Sequence, residues 1–152
     1  MYKRQTLNNT YNFFALYANI DGFTGREDKI PYDERTFEDR WIISKLNSLI
    51  KYVGKRLDEY DPTKASREIN AFINDDLSNW YIRLNRKRFW VGDLSEDKMM
   101  AYQTLFECLY KLSIISSPFI PFYSEKLFLN LNKFNFVTVS YTHLTLPTIC
   151  SV

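Results

Sequence analysis

Apolar residues recur at three- and four-residue intervals along most of this 152-residue chain, the period of an α-helix that lays one face on a core. From Thr6 to Ile20, the set Phe13, Phe14, Leu16, Tyr17 and Ile20 predicts a first helix that begins in mid-pattern. The Asp21-Gly22 and Gly25 region ends it, because glycine supplies the left-handed conformation of a helix stop. A polar link through Pro31 follows. The second helix is predicted from Thr36 to about Tyr60, with Ile42, Leu46, Leu49, Ile50, Val53 and Leu57 inward and capping-box-like spacing between Thr36 and Asp39. Asp61-Pro62 restarts the chain, since aspartate accepts from orphan amides and proline suits the first helical position.

The third helix carries Ala65, Ile69, Phe72, Ile73, Leu77, Trp80 and Leu84 toward the core and continues to Trp90. Gly92 interrupts and Ser95 caps a fourth, whose inward side is Met99, Tyr102, Leu105, Leu109, Leu112 and Ile115. Pro118 and Pro121 stop it. A shorter fifth helix from about Pro121 to Leu131 offers Phe122, Leu127, Phe128 and Leu131. Strand signals are nearly absent before residue 134, so the predicted fold is all-α, an antiparallel bundle of about five helices.

Both ends depart from this pattern. Tyr2-Lys3-Arg4-Gln5 can be written TAT AAG AGA CAG, and the reverse complement, CTG TCT CTT ATA, contains GTC TCT TAT, which encodes Val139-Ser140-Tyr141. The two ends can thus be one DNA element read in opposite directions, and with Thr142-His143-Leu144 it resembles the mosaic-end adapter of transposase-made sequencing libraries. Residues 1–5 and 139–152 are therefore read as adapter-derived, and residues 6–138 as the helical domain. The Thr-rich 139–152 tail has no face to match a helix bundle and is expected to pack poorly.

Setting the ends aside removes the only histidine, His143, and one of two cysteines, Cys150, which excludes histidine-based catalysis. Lys3 and Arg4 go too, leaving 18 basic residues against 18 acidic ones and no global charge to steer a polyanion. Attraction has to come from local patches, with the acidic stretch Glu27 to Asp39 lying apart from the basic cluster at Arg83 to Arg88. The size suits one domain. Cys108 lies in an apolar helical pattern and is expected to be a packed thiol in a reducing cytoplasm. No apolar run approaches membrane-spanning length, so no membrane partner is expected.

Little of the sequence supports chemistry. The four glycines never form the spaced cluster that wraps a nucleotide phosphate. Asp75 and Asp76 project about 100° apart on a helix, so they fit solvation or ion pairing to nearby Arg residues rather than an acid and base pair. Asp58, Glu59 and Asp61 fit a helix boundary, and Ser78 has no histidine to activate it. The expectation is no catalytic residue, no metal site and no cofactor within this chain.

The block from Asp76 to Trp90, DLSNWYIRLNRKRFW, packs large aromatics and the cations Arg83, Arg86, Lys87 and Arg88 into one helix. Cations neutralise phosphates, and rings or guanidinium planes stack on unpaired bases, so the composition suits a looped RNA. The plainer reading is an amphipathic helix with a solvated charged face.

Taken together, the residues resemble a known family. The blocks are NTYNFFALYANIDGF (Asn9 to Phe23), DRWIISKLNSLI (Asp39 to Ile50), YDPTKASREI (Tyr60 to Ile69), Asp76 to Trp90, DKMMAYQTLFECL (Asp97 to Leu109) and SPFIPFYSE (Ser117 to Glu125). Their order and spacing resemble the anticodon-binding helical domain of bacterial isoleucine-tRNA ligase, a class I aminoacyl-tRNA synthetase. The resemblance implies a cytoplasmic parent that activates isoleucine with ATP and charges tRNA(Ile) for protein biosynthesis. It implies tRNA(Ile) and the parent's catalytic domain as partners, with no role for DNA. The parent's HIGH and KMSKS signatures and its editing domain have no counterpart in these residues; Lys98-Met99-Met100 is only a faint echo of the second signature. ATP and zinc are thus expected of the parent and not of this chain, which is expected to be inactive alone. Carried onto this sequence, the resemblance implies that Asn79, Arg83, Arg86, Arg88 and Trp90 touch RNA or a neighbouring domain, with Trp80 and Leu84 inward. The alternative is a helical protein-interaction or interdomain scaffold bundle without direct RNA contact.

Overall fold

Capping and periodicity set the elements of the computed structural model, which describes residues 2–92 and 95–132. Helix α1 spans Tyr2–Asp21, α2 Phe37–Asp58, α3 Pro62–Ala71, α4 Arg83–Trp90, α5 Glu96–Ile115 and α6 Pro121–Leu131. A π-helical segment, Phe72–Ile82, joins α3 to α4, so residues 62–90 form one continuous rod and the bundle has five rods. A single 3₁₀ turn, Tyr32–Glu34, punctuates the link before α2, and no strand occurs among the described residues. The tail 139–152 lies outside the described residues.

The predicted caps are in place. Thr36 Oγ1 accepts from the Asp39 amide at 3.4 Å, Asp61 Oδ1 from the Lys64 amide at 3.1 Å, and Ser95 Oγ from the Lys98 amide at 3.2 Å. Pro62 opens α3, where a missing amide proton costs nothing. Gly22 at φ 72° closes α1, letting the Phe23 amide reach back to the Ala18 carbonyl at 2.8 Å. Tyr60 makes the same left-handed stop after α2 at φ 55°, with Asp61 N–H on the Arg56 carbonyl at 2.8 Å.

Helix α5 is the central rod. Ala101, Tyr102, Leu105, Cys108, Leu109 and Leu112 are fully buried along it, and α1, α2, α4 and α6 all pack on it. The buried, free Cys108 is the packed thiol anticipated, and burial pushes its pKa up, away from reactivity.

Four inward assignments need correction. Leu16 and Ile20 are 51% and 70% exposed, because α1 turns Leu7, Tyr11, Phe14, Ala15 and Ala18 to the core instead. Small alanines bring its backbone close, and large exposed residues next to them mimic the inward stripe. Phe122 is exposed and Tyr123 takes its place. Leu84 is exposed because the wider turns of the π segment hold more residues each, which delays the side chains beyond it around the axis. The buried stripe accordingly passes from Leu77 to Tyr81 and Ile82, then to Asn85 and Phe89.

The link between α1 and α2 is pinned to α5 by polar contacts. Gln103 accepts from the Ile30 amide at 2.9 Å and donates to the Asp28 carbonyl at 2.7 Å. Arg35, nearly buried, donates to the Ile30 carbonyl and to Thr104, and pairs with Glu107 at 3.2 Å. Gly25, at φ 76°, lies so close to the Phe106 ring that a Cβ would come within 2.9 Å of it.

Burial works to raise the Glu107 carboxyl, but the hydrogen bond and charge of Lys111, then those of Arg35, outweigh it and hold the pKa below the ordinary carboxylate value. A depressed folded-state pKa stabilises the fold above the unfolded-state value, about 4.3, and that contribution is lost as pH falls through the folded value. Glu107→Gln should therefore flatten the acid limb of a stability-against-pH curve below about pH 4.3. An acid limb of unchanged steepness in urea titrations at successive pH values would contradict this linkage.

Candidate nucleic-acid interface

The rod of the π segment and α4 divides its cations between the interior and the surface. Asn79, Arg83, Arg86, Lys87 and Trp90 are exposed, and their three- and four-residue spacing places them along one side. Arg88 turns the other way. Its Nε donates to Asp97 Oδ2 at 2.9 Å, Nη1 to Asp39 Oδ1 and Asn85 Oδ1 at 3.0 Å each, and Nη2 to Asp39 Oδ2 at 2.9 Å and the Asp97 carbonyl at 2.8 Å. All five guanidinium donors are filled.

Asp39 is wholly buried and also accepts from the Tyr81 hydroxyl at 2.5 Å. Burial, reinforced by the Asp39 charge, raises the Tyr81 pKa and keeps the phenol neutral. Burial alone would lower the Arg88 pKa, but the hydrogen bond and charge of Asp39, then the bond to Asp97, hold it above the ordinary arginine value. The spacing between Thr36 and Asp39 is thus only half a capping box: Thr36 caps, while the Asp39 side chain crosses to another rod.

A second polar junction ties the helix ends near Trp90. Lys98, 2% exposed, pairs with Asp21 at 2.5 Å and donates to the Val91 carbonyl at 2.7 Å. Tyr102 also donates to Asp21, and burial together with that carboxylate raises its pKa. The lysine with the faint signature-like context is therefore a strut joining the ends of α1, α4 and α5.

On the outer side, the Arg86 guanidinium carbon lies 5.7 Å from the Trp90 ring centroid and 6.0 Å from that of Phe13 on α1. Phe13 is held in turn by Tyr17 at 5.0 Å and by Phe89 at 5.3 Å. Trp80 is half-buried against Trp41, ring centroids 4.1 Å apart, and Lys45 sits 5.4 Å over Trp41. Lys45 also pairs with Asp76 at 3.9 Å, so that carboxylate answers a lysine rather than an arginine.

Of the five residues singled out in the sequence, the structure brings Asn79, Arg83, Arg86 and Trp90 onto one accessible side and commits Arg88 to the interior. Sequence reasoning did not single out Phe13, and it left Lys87 out of the final set. Lys87 was visible in the cation run; Phe13 was visible only as an apolar helix position.

Two other concavities lie away from this side among the described residues. A pocket of about 240 Å³ is lined by apolar residues such as Leu7, Ile69 and Ile73, beside Ser116. A broader groove of about 600 Å³ runs between the α1–α2 link and α5, over Phe106 and Tyr110. The first set carries no titratable side chain, and in the second Lys111 is ion-paired with Glu107 at 2.7 Å. Among the described residues no three of His, Cys, Asp and Glu converge, and the one thiol is sealed in the core, so this donor set does not fit a zinc ion.

Residues 39–145 match the family described as the anticodon-binding domain of tRNA ligase. The chain belongs to that family. The anticodon-binding domain is 57% identical over 128 residues to the isoleucine–tRNA ligase of Cytophaga hutchinsonii, covering 84% of this chain and 12% of that protein. It is 54% identical to the corresponding ligase of Porphyromonas gingivalis and 56% identical to that of Bacteroides thetaiotaomicron, in each case over 83% of this chain and 11% of the relative. The chain thus spans roughly an eighth of the length of these curated relatives. The family match ends at residue 145, inside the segment read from codons as adapter-derived. Among the described residues no helix is long and apolar enough to cross a membrane.

The division of cations predicts unequal costs. Arg88→Ala leaves a buried carboxylate without its partner and should destabilise the anticodon-binding domain by about 3–5 kcal/mol, whereas Arg83→Ala should stay within about 0.5 kcal/mol. Urea denaturation of both variants measures this, and equal midpoints would contradict the assignment of Arg88 to the fold.

Proposed function

We propose that this chain is the tRNA anticodon-stem-loop binding domain of an isoleucine-tRNA ligase, positioning tRNA(Ile) for ATP-dependent aminoacylation by the catalytic domain of a longer cytoplasmic parent. The observation that carries the reading is the family match over residues 39–145, with identity above 50% to isoleucine–tRNA ligases from three bacteria. The exposed line of Asn79, Arg83, Arg86, Lys87 and Trp90 supports it, because arginine and lysine neutralise backbone phosphates while an aromatic ring accepts an unpaired base. Arg88 acts in this reading as a positioning residue that fixes the rod carrying the others. ATP and zinc belong to the parent.

A second reading is an interdomain scaffold without RNA contact, and the exposed Leu16 and Ile20 favour it, since neighbouring apolar residues on one helix side suit a protein neighbour. Salt dependence separates the two readings. In a full-length ligase carrying this segment, the double variant Arg83→Ala, Arg86→Ala should weaken tRNA binding and reduce the slope of log K against log salt by about 0.7 for each single-strand phosphate left without its cation. Isoleucine-dependent ATP–pyrophosphate exchange should be unchanged. Unaltered affinity and slope would dismiss the RNA role of this side.

The chain alone, given ATP, isoleucine and tRNA, should form no charged product. Acid-gel detection of isoleucyl-tRNA above a protein-free control would overturn the placement of chemistry elsewhere in the parent.

A further inference from the structure

Trp90 stands apart from the other two tryptophans. Trp41 and Trp80 are half-buried against each other, whereas Trp90 is 57% exposed at the end of α4. A ring this large left in water gains nothing for the fold, yet it has a defined cationic neighbour. Arg86 lies one turn back and brings its guanidinium carbon to 5.7 Å from the Trp90 centroid and 6.0 Å from the Phe13 centroid. Phe13 is anchored by Tyr17 and by the buried Phe89. An exposed aromatic with a neighbouring planar cation already in place loses little further freedom when something stacks on it.

We propose that Phe13, Arg86 and Trp90 form a stacking platform for one unpaired base of the bound tRNA, a proposal that rests on the RNA reading above. Trp90 supplies the free ring face. Arg86 is the planar cation that sets the ring's position and adds a charged edge, and Phe13 carries the platform across to α1. Arg83 and Lys87, exposed beside it, take the flanking phosphates. The chemistry of the rim favours a nucleic acid over a protein. Arg86 lies against the ring, Lys87 is exposed one turn back on the same helix, and the carboxylate of Asp97 is already bound by Arg88, so this end of α4 offers positive charge beside a flat apolar surface. Such a surface is complementary to a base flanked by phosphates.

The test uses the full-length ligase and tRNA bearing 2-aminopurine in turn at each unpaired position of the anticodon loop. Stacking on Trp90 should quench one of these probes on binding. Trp90→Ala should relieve that quenching and weaken binding about five- to a hundredfold while leaving the salt slope intact, and Trp90→Phe should restore most of both. Arg83→Ala should lower the slope and leave the quenching alone. If Trp90→Ala changes neither affinity nor quenching while Arg83→Ala still lowers the slope, the platform is overturned and the RNA reading stands. If both variants are silent, both fail. Should Trp90→Ala instead lower the unfolding temperature of the ligase, with Phe giving no rescue of tRNA binding, Trp90 contacts a protein neighbour and the platform is likewise overturned.

Discussion

The buried pair of Asp39 and Arg88 is the constraint on which the rest of this structure depends. Removing a carboxylate from water costs several kcal/mol after relaxation, and only good geometry with further hydrogen bonds repays it. Both conditions hold here. Arg88 meets the two Asp39 oxygens at 3.0 and 2.9 Å, and the Tyr81 hydroxyl adds a third donor. The partners lie 49 residues apart, on α2 and α4, and Arg88 extends the network to Asp97 at the start of α5. One guanidinium therefore fixes the orientation of three rods, and with it the rotation of α4 about its axis. Rotation of that helix decides which of its cations reach solvent.

The π segment works to the same end. An unbroken α-helix through residues 62–90 would continue the inward stripe from Leu77 to Trp80 and Leu84. The wider turns move Tyr81 under α2, where its hydroxyl reaches Asp39, and turn Leu84 outward. Asn85 and Phe89 then face the core, and Arg83, Arg86, Lys87 and Trp90 do not. A local widening of the helix and a long-range ion pair thus specify one arrangement in which a cationic side is held by contacts on the opposite side of the same rod.

This coupling explains which parts were legible in the sequence. Caps are local: Thr36, Asp61 and Ser95 act within three residues of themselves and were readable directly. The stripes of α2 and α5 were readable because both helices are regular and bury a wide face. Leu84 and Arg88 were not, for the same reason in two forms. Helical period assumes a constant number of residues per turn, and nothing in the residues of the π segment marks the change. Composition shows that Arg83, Arg86 and Arg88 are cations, but only a partner 49 residues away shows that one of them belongs to the core. Leu16 and Ile20 misled by size: the inward positions of α1 include Ala15 and Ala18, which carry little hydrophobic signal but permit close approach.

The charge balance sets what such a domain can contribute. Residues 6–138 carry equal numbers of acidic and basic side chains, so there is no long-range field to draw in a polyanion, and a screening length of about 8 Å confines the exposed cations to their own neighbourhood. The phosphate contacts and the single stacked base proposed above would provide modest affinity on their own. In the proposed setting, joined to other RNA-binding parts of a longer chain, the same groups would act at an effective concentration set by the geometry of the connection, and their value would depend on being held in the right place. Rigidity is accordingly the property that the buried network has to supply. A looser α4 would carry the same residues at the same net charge, yet the entropy of ordering the helix itself would offset part of each proposed interaction with RNA.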